Sequence, residues 1–283
     1  MKQIAPIVGI SKIIASYDAL ICGFNGVISR GNSLSQEALN ALKNVAKSGK
    51  EIVILSNTPL RVKQVARLFF EADFELKNIK AIVTAGEIMH YKLKAQNSEL
   101  KYYYNIGGST DEGIFYGLNY QKVSNINKAD FIFIADIDPN KQNTDDYLIT
   151  LQEALSLNLP LFCTGTDVAE QIGDEIYPAS AAIAEQYAAL GGRIVAVGKP
   201  DPNILNYTKE ALSPKVEKIL FIGDSFMTDM KSADLFGADM LLISKGVHKD
   251  FLKEGYIPDV QKARELAFNF NVYPDYVISE LRY

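Results

Sequence analysis

Lys218-Ile219-Leu220-Phe221-Ile222 runs without a break into Gly223-Asp224-Ser225-Phe226-Met227-Thr228-Asp229. A short apolar run closed by Gly and Asp reads as a buried strand of a parallel sheet that ends in a loop. In an open parallel sheet, ligands gather beyond the carboxyl ends of the strands, so chemistry is expected in this loop. Asp224 and Asp229 lie five residues apart across a loop-to-helix start. That spacing lets two carboxylates converge on one hard cation, and a single Mg2+ takes one or two carboxylates with water and phosphate oxygens. The plainer alternative is that Asp229 only caps the helix expected over Met230 to Phe236.

Working outward, three more apolar runs end in polar residues. Ala19 to Phe24 leads through Gly23-Phe24-Asn25-Gly26-Val27, Glu51 to Leu55 into Ser56-Asn57, and Ile194 to Val197 into Gly198-Lys199-Pro200. Ser56 can offer a hydroxyl and nearby N–H groups to a phosphate, or serve simply as a turn residue. Lys199 can place a point charge on an anion, or sit on the surface.

Between these places, short apolar runs alternate with helical periodicity, which predicts parallel βα units. Ser33 with Gln36 fits a capping box for a helix carrying Leu34, Ala38, Leu42 and Val45, with Gly49 at its end. Thr58-Pro59 has the pattern of an N-cap followed by Pro at the first helical position. From Gly86 to Ala184 the character changes: a tyrosine run (Tyr102 to Tyr104), strands at Phe131 to Ala135 and Leu161 to Thr164, and helices near Asp145 to Leu157 and Ala181 to Leu190. The fold class expected is α/β: a doubly wound, Rossmann-like parallel core over 1–85 and 185–283, interrupted by an α/β cap over 86–184.

At 283 residues, 48% hydrophobic and 22% charged, the chain has ample material for a core plus an insertion. A net charge of -5 offers no basic excess for nucleic acid or an anionic membrane surface. Cys22 and Cys163 lie in apolar runs without metal or redox spacing and read as buried reduced thiols. The stretch from Met1 to Asp18 is broken by Lys12 and lacks a small-residue cleavage site, so a cytoplasmic protein without a signal peptide is expected. A homo-oligomer is compatible with all of this.

The ordered set Ser56-Asn57, Lys199 in Gly-Lys-Pro-Asp-Pro, and Gly223 to Asp229 resembles motifs two to four of the haloacid dehalogenase superfamily, class IIA. The stretch Ile183-Ala184-Glu185-Gln186-Tyr187 into Gly191-Gly192, and Gly246-Val247-His248, are similar to this class as well. The resemblance implies a Mg2+-dependent phosphatase of small phosphorylated metabolites with a cap between motifs two and three. It assigns phosphate binding to Ser56, Asn57 and Lys199, and the metal to Asp224, Asp229 and the carbonyl of Asn25.

The first motif departs from the pattern. The family shows Asp-x-Asp-Gly-Thr/Val, the first Asp attacking phosphorus and the second serving as acid and base. Gly26-Val27 sets the register, so Gly23 stands at the nucleophile position and Asn25 at the acid/base position. Glycine cannot attack, and asparagine hydrogen-bonds without shuttling a proton. Cys163-Thr164-Gly165-Thr166-Asp167 also replaces a segment in which relatives commonly show Asn-Pro-Asp. Losing a carboxylate removes a repulsion of about 4 kcal/mol on a phosphate ~4 Å away at a dielectric near 20, while weakening the metal site. The expectation is a phosphatase-like protein that binds a phosphorylated small molecule with weakened Mg2+ and little turnover. Two alternatives stand beside it: a phosphatase using water activated by Asp224 or Asp229, and a non-catalytic interaction protein with Lys199 paired to Asp224. Asp136 and Asp138, after a cap strand, are expected in a loop or facing substrate, and His90 and His248 in structural roles.

Overall fold

The computed structural model describes residues 3–30, 33–96, 100–141, 143–173, 175–252 and 258–283. A seven-stranded sheet runs in the order Ala5–Pro6, Tyr276–Ile278, Asp239–Ile243, Ile219–Gly223, Ala19–Gly23, Glu51–Ser56, Ala81–Thr84. Every pairing in it is parallel. Ala19–Gly23 is buried along its whole length, which explains why it reads as a continuous apolar run rather than an alternating one. Its chain neighbour Glu51–Ser56 lies on one side and the distant Ile219–Gly223 on the other. The strand order therefore reverses at Gly23, and the crevice beyond it is where such sheets hold ligands.

A second parallel sheet has the order Ile194–Val197, Leu161–Thr164, Phe131–Ile134, Tyr102–Asn105, Gln121–Lys122. The tyrosine run is the near-edge strand of this sheet. Tyr103 turns inward and stacks on Phe115 at 3.9 Å between ring centroids, while Tyr102 stays exposed. Buried aromatics Phe131, Phe133 and Phe162 complete that cluster. Because Ile194–Val197 pairs with Leu161–Thr164, it belongs to this second sheet and not to the core where the sequence reading puts it. The chain changes sheets at Gly198, rather than at the expected boundary of 185.

Two helix starts also differ from expectation. Ser35, not Ser33, caps Gln36–Lys47, accepting from Ala38 N at 3.3 Å. Ser33 is taken up in a two-residue strand pairing with Arg30. The next helix spans Val62–Glu71 with Arg61 at its N-cap. Thr58 and Pro59 form the loop before it, since Thr58 Oγ1 accepts from Leu60 N at 3.4 Å and its main-chain oxygen from Gly86 N at 3.1 Å. No helix among the described residues is long and apolar enough to cross a membrane.

Candidate active site

The loops after the central strands and the ends of the second sheet enclose a cleft of about 480 Å³. Asn25, Gly26, Ser56, Asn57, Asp224 and Asp229 line it from the seven-stranded sheet, and Asp136, Thr164, Asp167, Glu170 and Lys199, which follows the strand Ile194–Val197, from the other side. All the residues singled out for phosphate and metal are thus brought together. Gly23 lies just behind the wall.

Lys199 Nζ reaches Asp229 Oδ1 at 2.5 Å. The other oxygen of Asp229 accepts from the main-chain N–H groups of Asp224, at 3.1 Å, and Ser225, at 3.2 Å. Both oxygens of Asp229 are therefore engaged by the protein, Oδ1 by the lysine and Oδ2 by the loop. The pairing of Lys199 with Asp224 that the interaction-protein alternative requires is replaced by the pairing with Asp229. Burial works to lower the Lys199 pKa, but Asp229 and Asp167 outweigh it and hold the ammonium above its ordinary value.

Asp224 is held differently. One oxygen accepts from Val247 N at 2.8 Å, and the carboxylate lies against Gly26, where a Cβ would fall 2.0 Å from Asp224 Oδ2. Gly26 has φ +72, a conformation that glycine adopts without steric cost. No protein donor reaches Asp224 Oδ1 among the described residues. Burial, then Asp229, raises the pKa of this carboxyl above the usual carboxylate range. A buried carboxylate with one oxygen left over fits a hard cation. Asp224 would hold Mg2+, and the expected carbonyl of Asn25 lies in the adjoining loop.

Gly23 ends its strand with ordinary extended backbone; it is not among the positive-φ glycines. A Cβ there would lie 3.2 Å from Val27 Cγ2, 3.3 Å from Ile222 O and 3.6 Å from Asp229 Oδ1. A side chain at this position would start snugly and beside Asp229, in keeping with the register read from Gly26-Val27. Asn25 is exposed and faces the cleft.

Asn57 ties the two sides together. Its Oδ1 accepts from Lys199 N at 2.7 Å, and its Nδ2 donates to Thr166 Oγ1 and Asp167 Oδ2, both at 2.9 Å. Ser56 Oγ accepts from Thr58 N at 3.0 Å, which leaves its proton to offer elsewhere. Asp167 also accepts from Thr228 Oγ1 at 2.7 Å, and burial raises its pKa while Lys199 opposes. Sequence reasoning treats Asp167 only as part of a divergent segment. Its signal is the strand-end rule itself, since Thr164-Gly165-Thr166-Asp167 follows directly on a buried strand.

Asp136 lines the cleft, with Oδ2 accepting from Thr110 Oγ1 at 2.6 Å. Asp138 instead shapes its own loop, accepting from Asn140 N at 2.9 Å. His90 Nδ1 lies 2.7 Å from Ile114 O. His248 Nε2 accepts from Phe226 N at 3.2 Å, and burial lowers its pKa to about 4. Both histidines hold structure. Both cysteines are buried and free.

Residues 17–237, well over half of the chain, match the family described as haloacid dehalogenase-like hydrolase, and residues 196–282 match a related HAD-hydrolase-like family. The chain belongs to the haloacid dehalogenase-like hydrolase family. It is 25% identical to the sugar-phosphatase AraL of Bacillus subtilis over 88% of this chain and 93% of that protein. It is 22% identical to the ribonucleotide monophosphatase NagD of Escherichia coli, over 81% of this chain and 88% of that protein. Among solved structures, a haloacid dehalogenase-like hydrolase from Brucella suis superposes with a TM-score of 0.79 at 26% identity, covering 96% of this chain and 98% of that one. This likeness agrees with class IIA: a parallel core and a second parallel sheet as cap.

Proposed function

We propose that this chain binds a small phosphomonoester with Mg2+ in the cleft and hydrolyses it by direct attack of water on phosphorus. The observation that carries this reading is the absence of a side chain at Gly23, beside Asp229. A Cβ there would lie 3.6 Å from Asp229 Oδ1, so a water beside Gly23 adjoins a carboxylate that can take its proton once the Lys199 ammonium, now on Asp229 Oδ1, turns to the phosphate. Lys199 and the Ser56 hydroxyl hold the phosphate, and Asp224 with the carbonyl of Asn25 holds the cation. When bound, Mg2+ supplies charge neutralisation to the phosphoryl oxygens. Asn25 donates a hydrogen bond to the leaving oxygen but no proton, so the departing alkoxide takes its proton from solvent water. The phosphatase activity in the names of AraL and NagD supports a phosphate ester as ligand.

A second reading, binding without turnover, is favoured by Gly23 and Asn25 together, since loss of a covalent nucleophile costs about 10⁶ in turnover elsewhere. Both readings predict a cytoplasmic protein acting on a phosphorylated small molecule. The deciding experiment follows the configuration at phosphorus in a chiral, isotopically labelled phosphate ester. Single displacement by water inverts it, whereas a two-step covalent route retains it. Inversion supports the proposal, and retention overturns it. Tight binding without hydrolysis selects the second reading, and no binding of any phosphate ester removes both.

A further inference from the structure

The wall of the cleft opposite the phosphate loops is built from acceptors that lack donors. Thr164 is 0% exposed and Gln171 is 8% exposed, yet Thr164 Oγ1 and Gln171 Oε1 have no hydrogen-bond partner. Asp136 Oδ1 is a third buried atom in the same condition. All three residues line the cleft. Gln171 Nε2 donates to Gly173 O at 2.9 Å, which fixes the amide while its oxygen stays unpaired. An unpaired buried acceptor costs about 1–3 kcal/mol, and three on one wall of a cleft mark a place where a ligand brings donors.

Charge decides which donors. The acidic residues lining the cleft are Asp136, Asp167, Glu170, Asp224 and Asp229, and the basic one is Lys199, already paired with Asp229. Bound Mg2+ and a phosphate dianion cancel one another, so the excess of carboxylate remains for the rest of the ligand to answer. The side chain of Glu170, on the hairpin strand Ala169–Ile172, has no hydrogen bond or ion pair among the described residues. Its pKa is raised to about 7 by burial, then by Asp167 and Asp136. A carboxyl facing two others without a counter-ion is strained in this way, and a cation seated beside it relieves the strain. Among the described residues no group of three or more His, Cys, Asp or Glu converges here, so a second metal ion would have to take most of its ligands from water. Sugar hydroxyls would pair the orphan oxygens but leave the charge unanswered.

We infer that the cleft selects phosphomonoesters whose organic part carries a protonated amine, seated against Asp136 and Glu170. This inference rests on the phosphate-binding reading above and deepens it to a substrate class. The ammonium donates to the free oxygen of Asp136 and to Glu170, and the orphan oxygens of Gln171 and Thr164 complete its surroundings. The phosphate stays on Lys199 and Ser56.

The test is calorimetric titration of the unmodified chain with matched pairs in Mg2+ buffer at neutral pH. The pairs are 2-aminoethyl and 2-hydroxyethyl phosphate, 3-aminopropyl and 3-hydroxypropyl phosphate, and glucosamine 6-phosphate and glucose 6-phosphate. Inorganic phosphate is titrated alongside. A charge-assisted contact in a desolvated cleft is expected to favour the amine at least about fivefold in one pair or more. A smaller preference in every pair, with inorganic phosphate still bound, overturns the amine inference and leaves the phosphate site standing. If neither inorganic phosphate nor any ester binds, the phosphate reading itself falls, and this inference with it. Glu170→Gln, at a half-buried hairpin position, is expected to reduce the amine preference, read as the ratio of affinities within each pair. An unaltered preference in that variant overturns the seat at Glu170.

Discussion

Lys199 Nζ lies 2.5 Å from Asp229 Oδ1, with the two side chains only 5% and 3% exposed. A buried pair of this kind is costly to break from one side, because the remaining charge has no partner. Lys199→Met is therefore expected to lower stability by about 3–5 kcal/mol, measured by urea denaturation. Lys199→Met combined with Asp229→Leu should recover part of the loss, since it removes both charges, although the N–H groups of Asp224 and Ser225 then lose their acceptor. The pH dependence follows from the raised lysine pKa. The stabilisation is fully present below the ordinary lysine value of 10.5 and is lost as pH rises through the higher folded value.

Arg61 and Glu87 hold a second joint. Glu87 accepts from Arg61 Nε at 2.7 Å, from Arg61 Nη2 at 2.8 Å and from Val62 N at 3.1 Å. This fork pins the start of the helix Val62–Glu71 to the helix Ala85–Ala95, directly behind the Ser56-Asn57 loop. The Arg61 contacts, opposed by burial, bring the Glu87 pKa down to about 2. A depressed carboxyl stabilises above its ordinary 4.5, and the effect fades as pH falls towards 2. Glu87→Gln should cost about 1.5–3 kcal/mol at neutral pH. The gap between parent and variant should narrow between pH 4.5 and pH 2 in thermal melts. A gap independent of pH would show that the loss is one of packing.

Gly26→Ala probes the clamp on Asp224. The added Cβ would meet Asp224 Oδ2 at 2.0 Å and sit at φ +72. Left-handed backbone alone costs a non-glycine residue about 1–3 kcal/mol, and the clash displaces the carboxylate that would hold the cation. A fall in Tm together with weaker Mg2+ binding by calorimetry is expected. A variant that melts earlier but binds Mg2+ as before would separate Asp224 from the metal.

Much of this site was legible because one rule finds it: polar residues directly after buried parallel strands. Ser56, Lys199, Asp224 and Asp229 all obey it, and so does Asp167, which a reading by motif alone passes over. What the sequence conceals is the choice among equivalent partners. Asp224 and Asp229 are both within reach of Lys199 in any reading of the spacing. Only the N–H groups of residues 224 and 225, by holding Asp229 Oδ2, turn Oδ1 towards the lysine. Ile194–Val197 shows the same limit at the level of the fold. A four-residue apolar strand can join either sheet, and its pairing with Leu161–Thr164 leaves no trace in its own residues. The helix caps fail for a related reason. Ser33, Ser35 and Thr58 are equally good capping residues, and backbone direction decides among them.

Gly23→Asp tests the first motif most directly. Gly23 ends its strand in extended backbone, so aspartate meets no left-handed strain. Its Cβ would lie 3.2 Å from Val27 Cγ2 and 3.3 Å from Ile222 O, close enough that Val27 must give by a few tenths of an ångström. A small loss of stability is expected, of order 1 kcal/mol. The new carboxylate enters beside Asp229, and as a second carboxylate for the cation at Asp224 it should raise Mg2+ affinity. Hydrolysis should increase and change character: an acid-stable quench should trap a phospho-aspartate that the parent never forms. Asn25 still lacks a proton to give, and general acid–base catalysis is worth about 10²–10⁴-fold. Gly23→Asp with Asn25→Asp should therefore exceed the single variant by about that factor, read as kcat on a phosphorylated amine and its hydroxyl counterpart. A folded double variant that binds Mg2+ no better than the parent and forms no phosphoenzyme would show that position 23 is not the vacant nucleophile position.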